Sequence, residues 1–138
     1  ENEKGIYGDT AESCLELFKE LKFLKGIFDP ANFVQCSEDT LKAWEMLKDN
    51  IYYMHIKDAK ANGSVVPAGY GDGNIKQIVN SFVSMGGKDF TIEPHLTVFE
   101  GLKNLEREGE TSKIEFSYLD SNVAFDTACK AFKKILEE

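Results

Sequence analysis

Cysteine, histidine and long apolar runs are all scarce in this chain of 138 residues. The three cysteines lie far apart without Cys-x-x-Cys spacing, which argues against a disulfide framework and favours reduced thiols in the cytoplasm. No apolar run approaches the ~20 residues that a membrane-spanning helix needs, and no signal peptide is recognisable. We therefore expect a cytoplasmic protein with no membrane partner.

Positive charge is also in short supply. The chain carries 24 acidic and 16 basic residues, for a net charge of −8. Because an acidic surface repels phosphate backbones, nucleic acid is a poor expected partner. The hydrophobic share of 42% is enough for a packed core. The length fits one domain, which spans residues 1–138.

Several short apolar runs end abruptly in polar side chains. Gly26–Phe28 runs into Asp29, Phe90–Ile92 runs into Glu93, and the longer run from Ile51 contains His55 near its end. Stretches with helical periodicity separate the runs, and the longest run does not alternate with polar residues. This pattern predicts an α/β fold whose parallel strands are covered on both faces by helices.

The remaining elements follow from capping and periodicity. Helices are predicted over residues 9–23 (with Asp9 as its cap), 38–48, 74–85 (with Asn74 as its cap), 96–107 and 121–136. The segments 32–37 and 58–73 are predicted to be loops, and 114–119 is either a short strand or an extended crossing. The last helix is expected to face inward through Ala124, Phe125, Ala128, Phe132 and Ile135.

Four residues occupy matching places in this pattern: Glu1, Asp29, His55 and Glu93. Neighbours in the set are between 26 and 38 residues apart, about one strand–helix unit, and side chains at the carboxyl ends of parallel strands converge. Three carboxylates brought together repel one another, and a divalent cation relieves that repulsion. Such an oxygen-rich set with one imidazole suits Mn²⁺, Mg²⁺, Co²⁺ or Zn²⁺. The sequence therefore predicts one divalent metal ion as the cofactor.

Each of the four also has a plainer interpretation. His55 could be a hydrogen-bonded core residue, and Asp29 before Pro30 could begin a turn. Glu93 also precedes a proline, and a terminal residue such as Glu1 is usually mobile. Only their shared position at strand ends favours the metal.

Two features near His55 suggest a substrate site. Lys57 either contacts a substrate oxygen or phosphate or pairs with a carboxylate. The glycine-rich stretch 69–73 precedes a helix, where backbone N–H groups bind phosphate, although no P-loop Lys-Ser/Thr follows. A phosphate site and a loop that closes over the site are the alternatives for this stretch.

Five segments together resemble the sugar phosphate isomerase/epimerase family, the xylose isomerase-like barrels that are related to the type IV apurinic (AP) endonucleases. The segments are residues 1–3, 28–33, 55–58, 67–73 and 92–95. They occur in the family's order and cover most of the chain to about residue 105. The resemblance implies a TIM-type (β/α)8 barrel, of which this chain is the carboxy-terminal part with about three βα units.

The resemblance also implies roles for the residues. Glu1, Asp29, His55 and Glu93 would bind the metal, and Glu1 and Glu93 would also be catalytic, moving a proton at the carbon beside a carbonyl. The metal would stabilise the enediolate. The implied activity is that of a metal-dependent isomerase or epimerase, with a small-molecule sugar or sugar phosphate as the partner. Lys57 is expected to bind that substrate.

Position 32 departs from the family pattern. Many relatives carry histidine where this chain has Asn32, which can bind a substrate hydroxyl but is a poor metal ligand. The chain has only two histidines, whereas an endonuclease needs more for several zinc ions. An AP endonuclease-like phosphodiesterase and a non-catalytic sugar-binding barrel remain alternatives, and Glu3 could replace Glu1 as the first ligand.

The chain opens on glutamate rather than methionine and has about half the length of such a barrel. We therefore expect a piece of a longer protein, inactive when isolated. Its open sheet edges would be exposed unless a second copy pairs with them in a homo-oligomer.

Overall fold

The computed structural model describes residues 1–97 and 113–137. Within these ranges there are five α-helices: α1 (Ala11–Glu20), α2 (Pro30–Gln35), α3 (Thr40–Leu47), α4 (Ile75–Ser84) and α5 (Ser121–Glu137). The six strands are β1 (Gly26–Phe28), β2 (Ile51–Ile56), β3 (Asp58–Ala59), β4 (Ser64–Val66), β5 (Phe90–Ile92) and β6 (Lys113–Ile114). None of the helices in the described ranges has the length and apolarity to cross a membrane.

The three longer apolar runs form one parallel sheet in the order β1–β2–β5. β2 is its central strand, and His55 pairs in register with Thr91 of β5. The α/β class and the parallel sheet were predictable because helical periodicity separates these runs.

The two faces of this sheet have different surroundings. Phe28, Met54 and Ile56 are buried in the main core, against Trp44 of α3 and Ile78 of α4. Because successive side chains of a strand point to opposite faces, the alternate residues of β2 lie on the other face. The first three residues of β2 are not buried, so the prediction that both faces are covered holds only for its second half.

The segment predicted to be a loop from residue 32 to residue 37 is mostly helix α2. The Asp29 side chain caps this helix by accepting the N–H of Asn32, and Pro30 occupies its first turn. Proline is favoured there because the first N–H of a helix needs no partner and the proline φ is already helical. Asp29-Pro30 therefore starts a helix as well as ending a strand.

The predicted loop 58–73 also contains strands. β3 and β4 form an antiparallel pair, with Asp58 opposite Val66, and β4 pairs in parallel with β6. The second sheet is therefore β3–β4–β6. Of the two interpretations of residues 114–119, the short strand is right only at the start, because β6 ends at Ile114.

Other differences concern helix ends and faces. Thr10, not Asp9, caps α1, and α1 ends at Glu20 rather than near residue 23. Asn74 precedes α4 as predicted but makes no side-chain cap, because its φ is 54° and its amide instead donates to Thr40. In α5 the predicted inward residues are buried except Phe125, which is 50% exposed. The helix predicted over 96–107 lies almost entirely outside the described residues.

Candidate metal centre

The strand ends bring the predicted ligands together. Asp29 follows β1, His55 lies near the end of β2, and Glu93 follows β5, so parallel pairing places all three at one edge of the sheet. Glu1 reaches the same place from the start of the chain. One ligand atom of each of these four residues lies within 4.8 Å of the others. Among the described residues Glu3 is not part of this group.

The carboxylates surround the Nδ1 atom of His55. Nδ1 lies 3.2 Å from Glu1 Oε1, 3.3 Å from Glu93 Oε2 and 3.9 Å from Asp29 Oδ2. His55 Nδ1 and Asp29 Oδ2 are buried and make no hydrogen bond of good geometry within the described residues, although the Lys57 Nζ atom lies 3.1 Å from Asp29 Oδ2. A buried polar atom that lacks a well-formed hydrogen bond is unfavourable, and a cation among these atoms would interact with both of them directly. The donor set and its geometry therefore fit a divalent metal ion.

The electrostatics of the group point the same way. The carboxylates of Glu1 and Glu93 raise the pKa of His55 to about 10. The imidazole in turn holds the pKa of Glu93 well below its usual range. Burial raises the pKa of Asp29 to about 6, because the charged form loses its water. Negative charge is thus concentrated around His55, and it can be balanced either by a proton on the imidazole or by a cation that takes the place of that proton.

Comparison with known proteins places the fold but not the chemistry. No protein-family model and no curated protein matches the sequence. The solved structure of the probable 3-DHS dehydratase AsbF, involved in petrobactin synthesis, from Bacillus anthracis matches with a TM-score of 0.63 and 16% identity over 99% of this chain and 47% of its own. The xylose isomerase domain protein from Planctomyces limnophilus matches with a TM-score of 0.54 and 20% identity, over 93% of this chain and 45% of its own.

The fold is mixed α/β with a parallel sheet and is similar to part of each of these two longer structures. This chain spans about half the length of both neighbours. At such low identities the likeness concerns the backbone alone, since one barrel fold serves many reactions.

Two buried asparagines attach Glu1 to the site. The Asn2 side chain accepts the N–H of Asp29 and donates to its carbonyl oxygen, both at 2.9 Å. The Asn32 Nδ2 atom lies 3.2 Å from Glu1 Oε1, 2.9 Å from the Asn2 carbonyl oxygen and 3.3 Å from Glu3 Oε2. A residue at the chain terminus is thus held in place. Asn2 was not predicted to take part, and its position next to Glu1 was the only signal in the sequence.

The two predicted substrate-binding residues are already engaged with the protein. Lys57 is only 5% exposed, and its Nζ lies 3.1 Å from Asp29 Oδ2 and 3.7 Å from Glu93 Oε2. The structure therefore shows the carboxylate pairing that was one of its two interpretations. Asn32 is 1% exposed, and its Oδ1 has no hydrogen-bond partner among the described residues. Substrate binding by either residue stays a prediction.

The glycine-rich stretch does not offer its N–H groups to a phosphate. The N–H groups of Gly69, Gly71 and Gly73 donate to the Asp58 carboxylate at 2.8, 3.0 and 3.0 Å. The N–H of Ala59 donates to it as well. The phosphate interpretation is therefore wrong for these groups, because a buried carboxylate of the chain itself occupies the anion position. Glycine at every second position from residue 69 to residue 73 was the sequence feature that could have predicted this binding of a carboxylate.

His95 is a further residue of the site that was not predicted to take part. Its Nε2 lies 3.7 Å from Glu93 Oε1, on the carboxylate oxygen that does not face His55. Its backbone has a φ of 44°, a left-handed conformation that is uncommon for a residue other than glycine. Its place two residues after Glu93 was the signal available in the sequence.

Proposed function

We propose that this chain is the carboxy-terminal part of a metal-dependent sugar or sugar phosphate isomerase or epimerase. The observation that carries the proposal is the convergence of three carboxylates on His55, with two buried ligand atoms that lack hydrogen bonds. Glu1, Asp29, His55 and Glu93 would hold the divalent ion. When bound, the ion would polarise the carbonyl and hydroxyl oxygens of a ketose.

The exposure of the carboxylates separates proton carriers from a purely structural ligand. The side chains of Glu1 and Glu93 are 25% and 35% exposed, whereas that of Asp29 is fully buried. Only a carboxylate that a substrate can reach can take or give a proton at carbon. Glu1 and Glu93 are therefore the proposed acid and base, and Asp29 serves only to hold the metal.

The polar groups beside these carboxylates suit a polyhydroxylated substrate. The unpartnered Oδ1 of Asn32 would accept a hydrogen bond from a sugar hydroxyl, since a buried acceptor without a donor is costly. Lys57 would bind a substrate oxygen while it stays paired with Asp29. The name of the Planctomyces neighbour, a xylose isomerase domain protein, supports a sugar as the substrate class.

Of the alternatives, the phosphodiesterase receives no support from the site. The four-residue group contains one histidine, and the overall charge of −8 opposes DNA binding. The Bacillus neighbour is a probable dehydratase, so the test must also detect loss of water from the substrate.

The proposal is tested by hydrogen exchange of substrates in D₂O, followed by NMR. The protein that carries this chain is loaded with Mn²⁺ and offered a panel of ketoses and ketose phosphates, and the metal is removed before spectra are recorded. We expect deuterium to enter the carbon beside the carbonyl of at least one substrate. Glu93→Gln should abolish this exchange, whereas the surface control Glu12→Gln should preserve it. Binding without exchange, or product formed by loss of water, would overturn the proposal.

A further inference from the structure

The two carboxylate oxygens of Glu93 have different neighbours. Oε2 lies 3.3 Å from His55 Nδ1 and 3.7 Å from Lys57 Nζ, so it faces the candidate metal centre. Oε1 lies 3.7 Å from the Nε2 atom of a second imidazole, that of His95. Because the Glu93 side chain is 35% exposed, burial alone does not fix the orientation of its carboxylate. The imidazole of His95 is therefore placed to decide which of the two oxygens turns towards His55.

A turn of the backbone at His95 brings this imidazole beside Glu93. The φ of His95 is 44°, in the left-handed region, and its side chain is 26% exposed. The next residue, Leu96, is 2% exposed and packs with Val65 in the smaller core. Glycine adopts such a turn without strain, so the burial of Leu96 does not by itself require a histidine here. Strained residues of this kind cluster at functional sites, which directs attention to the imidazole.

We propose that His95 is a positioning residue, which holds Oε1 of Glu93 through its Nε2–H and leaves Oε2 to the metal. This inference rests on the proposed function, in which Glu93 is both a metal ligand and a proton carrier. A residue that donates a hydrogen bond to a metal ligand fixes the orientation of that ligand, and so raises the affinity for the ion. The Nε2 and Oε1 atoms are 3.7 Å apart, beyond hydrogen-bond distance, and contacts of this kind tighten when a ligand binds.

The test compares two variants of His95 in the protein that carries this chain, with Mn²⁺ alone as the probe. His95→Gly removes the imidazole and adopts the left-handed backbone freely, whereas His95→Gln keeps an N–H donor at a similar reach. In calorimetric titration we expect His95→Gly to bind Mn²⁺ about 10-fold more weakly, and His95→Gln to bind it nearly as tightly as the wild type. Urea denaturation should show no loss of stability in His95→Gly.

Ser37→Gly is the matched control for the backbone change. Ser37 is exposed, has a φ of 61°, and lies beyond the end of α2 that is farther from Asp29. Replacing it with glycine relieves a left-handed residue in the same way without removing a group from the site. We expect Mn²⁺ affinity to be unchanged in this variant.

Three results would overturn the inference and leave the proposed function intact. The first is equal Mn²⁺ affinity in His95→Gly and the wild type, because Glu93 would then be oriented without the imidazole. The second is an equal loss of affinity in His95→Gln and His95→Gly, because the N–H donor would then not be the cause. The third is a His95→Gly variant that unfolds more readily than the wild type, which would assign the side chain to folding. Absence of Mn²⁺ binding to the wild type is a distinct result, which would refute the proposed function and the role of His95 with it.

Discussion

At the scale of single residues, one buried carboxylate organises the segment that follows the central strand β2. Asp58 is fully buried, and burial raises the pKa of its carboxyl, against four backbone N–H groups that favour the charged form. Gly71 and Gly73 permit this, because a Cβ on either would lie about 2.5–2.6 Å from Asp58 Oδ1. The Asp58 carboxylate thus fixes the conformation of the segment that follows the central strand β2.

Replacing Asp58 tests this role. Asp58→Asn puts an amide NH₂ against N–H groups that need an acceptor, so we expect a loss of about 2–4 kcal/mol in the free energy of unfolding. Asp72→Asn is the matched control, because Asp72 accepts a single backbone N–H from Ala61 in an exposed place, and it should cost less than about 1 kcal/mol. Urea denaturation measures both. Equal losses in the two variants would refute the role of Asp58.

Asn2 gives a second prediction at this scale. Asn2→Ala removes both bonds to Asp29, so Glu1 is no longer held against the other ligands. We expect Mn²⁺ affinity to fall about 10–100-fold, the usual loss when a residue that orients a metal ligand is removed. Asn80→Ala, an exposed change on α4, should leave affinity unchanged. Calorimetric titration measures the Mn²⁺ affinity of both variants. Unaltered Mn²⁺ affinity in Asn2→Ala would show that the Asn2 side chain does not position Glu1.

That Glu1, Asp29, His55 and Glu93 lie together could be predicted from the sequence, because each has a regular place relative to an apolar run or to the next unit; that they bind a metal stays a prediction. Asn2 and Asp58 could not be assigned roles, since most of their partners are backbone groups 11 or more residues away. The local pattern of the sequence does not indicate which distant N–H groups a side chain will contact.

At the scale of elements, the apolar runs and hydrophobic periodicity located the three strands of the parallel sheet and most helices, but not β3, β4 or the exact helix faces. In α5 the buried residues are Ala124, Ala128, Phe132 and Ile135, which recur at the spacing of one helix face. Phe125 follows Ala124 directly and therefore turns away from the sheet, although its side chain is apolar. Helix α2 was not predicted because its six residues are too few to show hydrophobic periodicity. The only sequence feature that indicates this helix is its cap, Asp29.

The two phenylalanines make a matched pair on one helix. The Phe132 ring packs on Phe90 of β5 with centroids 5.2 Å apart, so Phe132→Ala should cost about 3–5 kcal/mol in the free energy of unfolding. Phe125→Ala should change stability by less than about 0.5 kcal/mol, because half of that side chain is exposed. Thermal and urea denaturation of both variants provide the comparison. A larger loss from Phe125→Ala would mean that α5 is rotated from the position described.

At the scale of the whole molecule, the chain has the architecture of part of a barrel with a site at one end. The three parallel strands converge at the candidate metal centre, and one sheet face and one strand edge beside it lack covering elements among the described residues. The length of the chain and the order of its strands predicted this arrangement.

The central claim is that a divalent metal binds among Glu1, Asp29, His55 and Glu93. The most direct test is calorimetric titration of Mn²⁺ into the wild-type protein, into His55→Ala and into Thr91→Ala, whose threonine pairs with His55 in register but offers no ligand to the group. We predict one Mn²⁺ per chain, at least 100-fold weaker binding in His55→Ala, and unchanged binding in Thr91→Ala. No binding to the wild type, or equal binding to His55→Ala, would contradict the metal centre and the mechanism built on it.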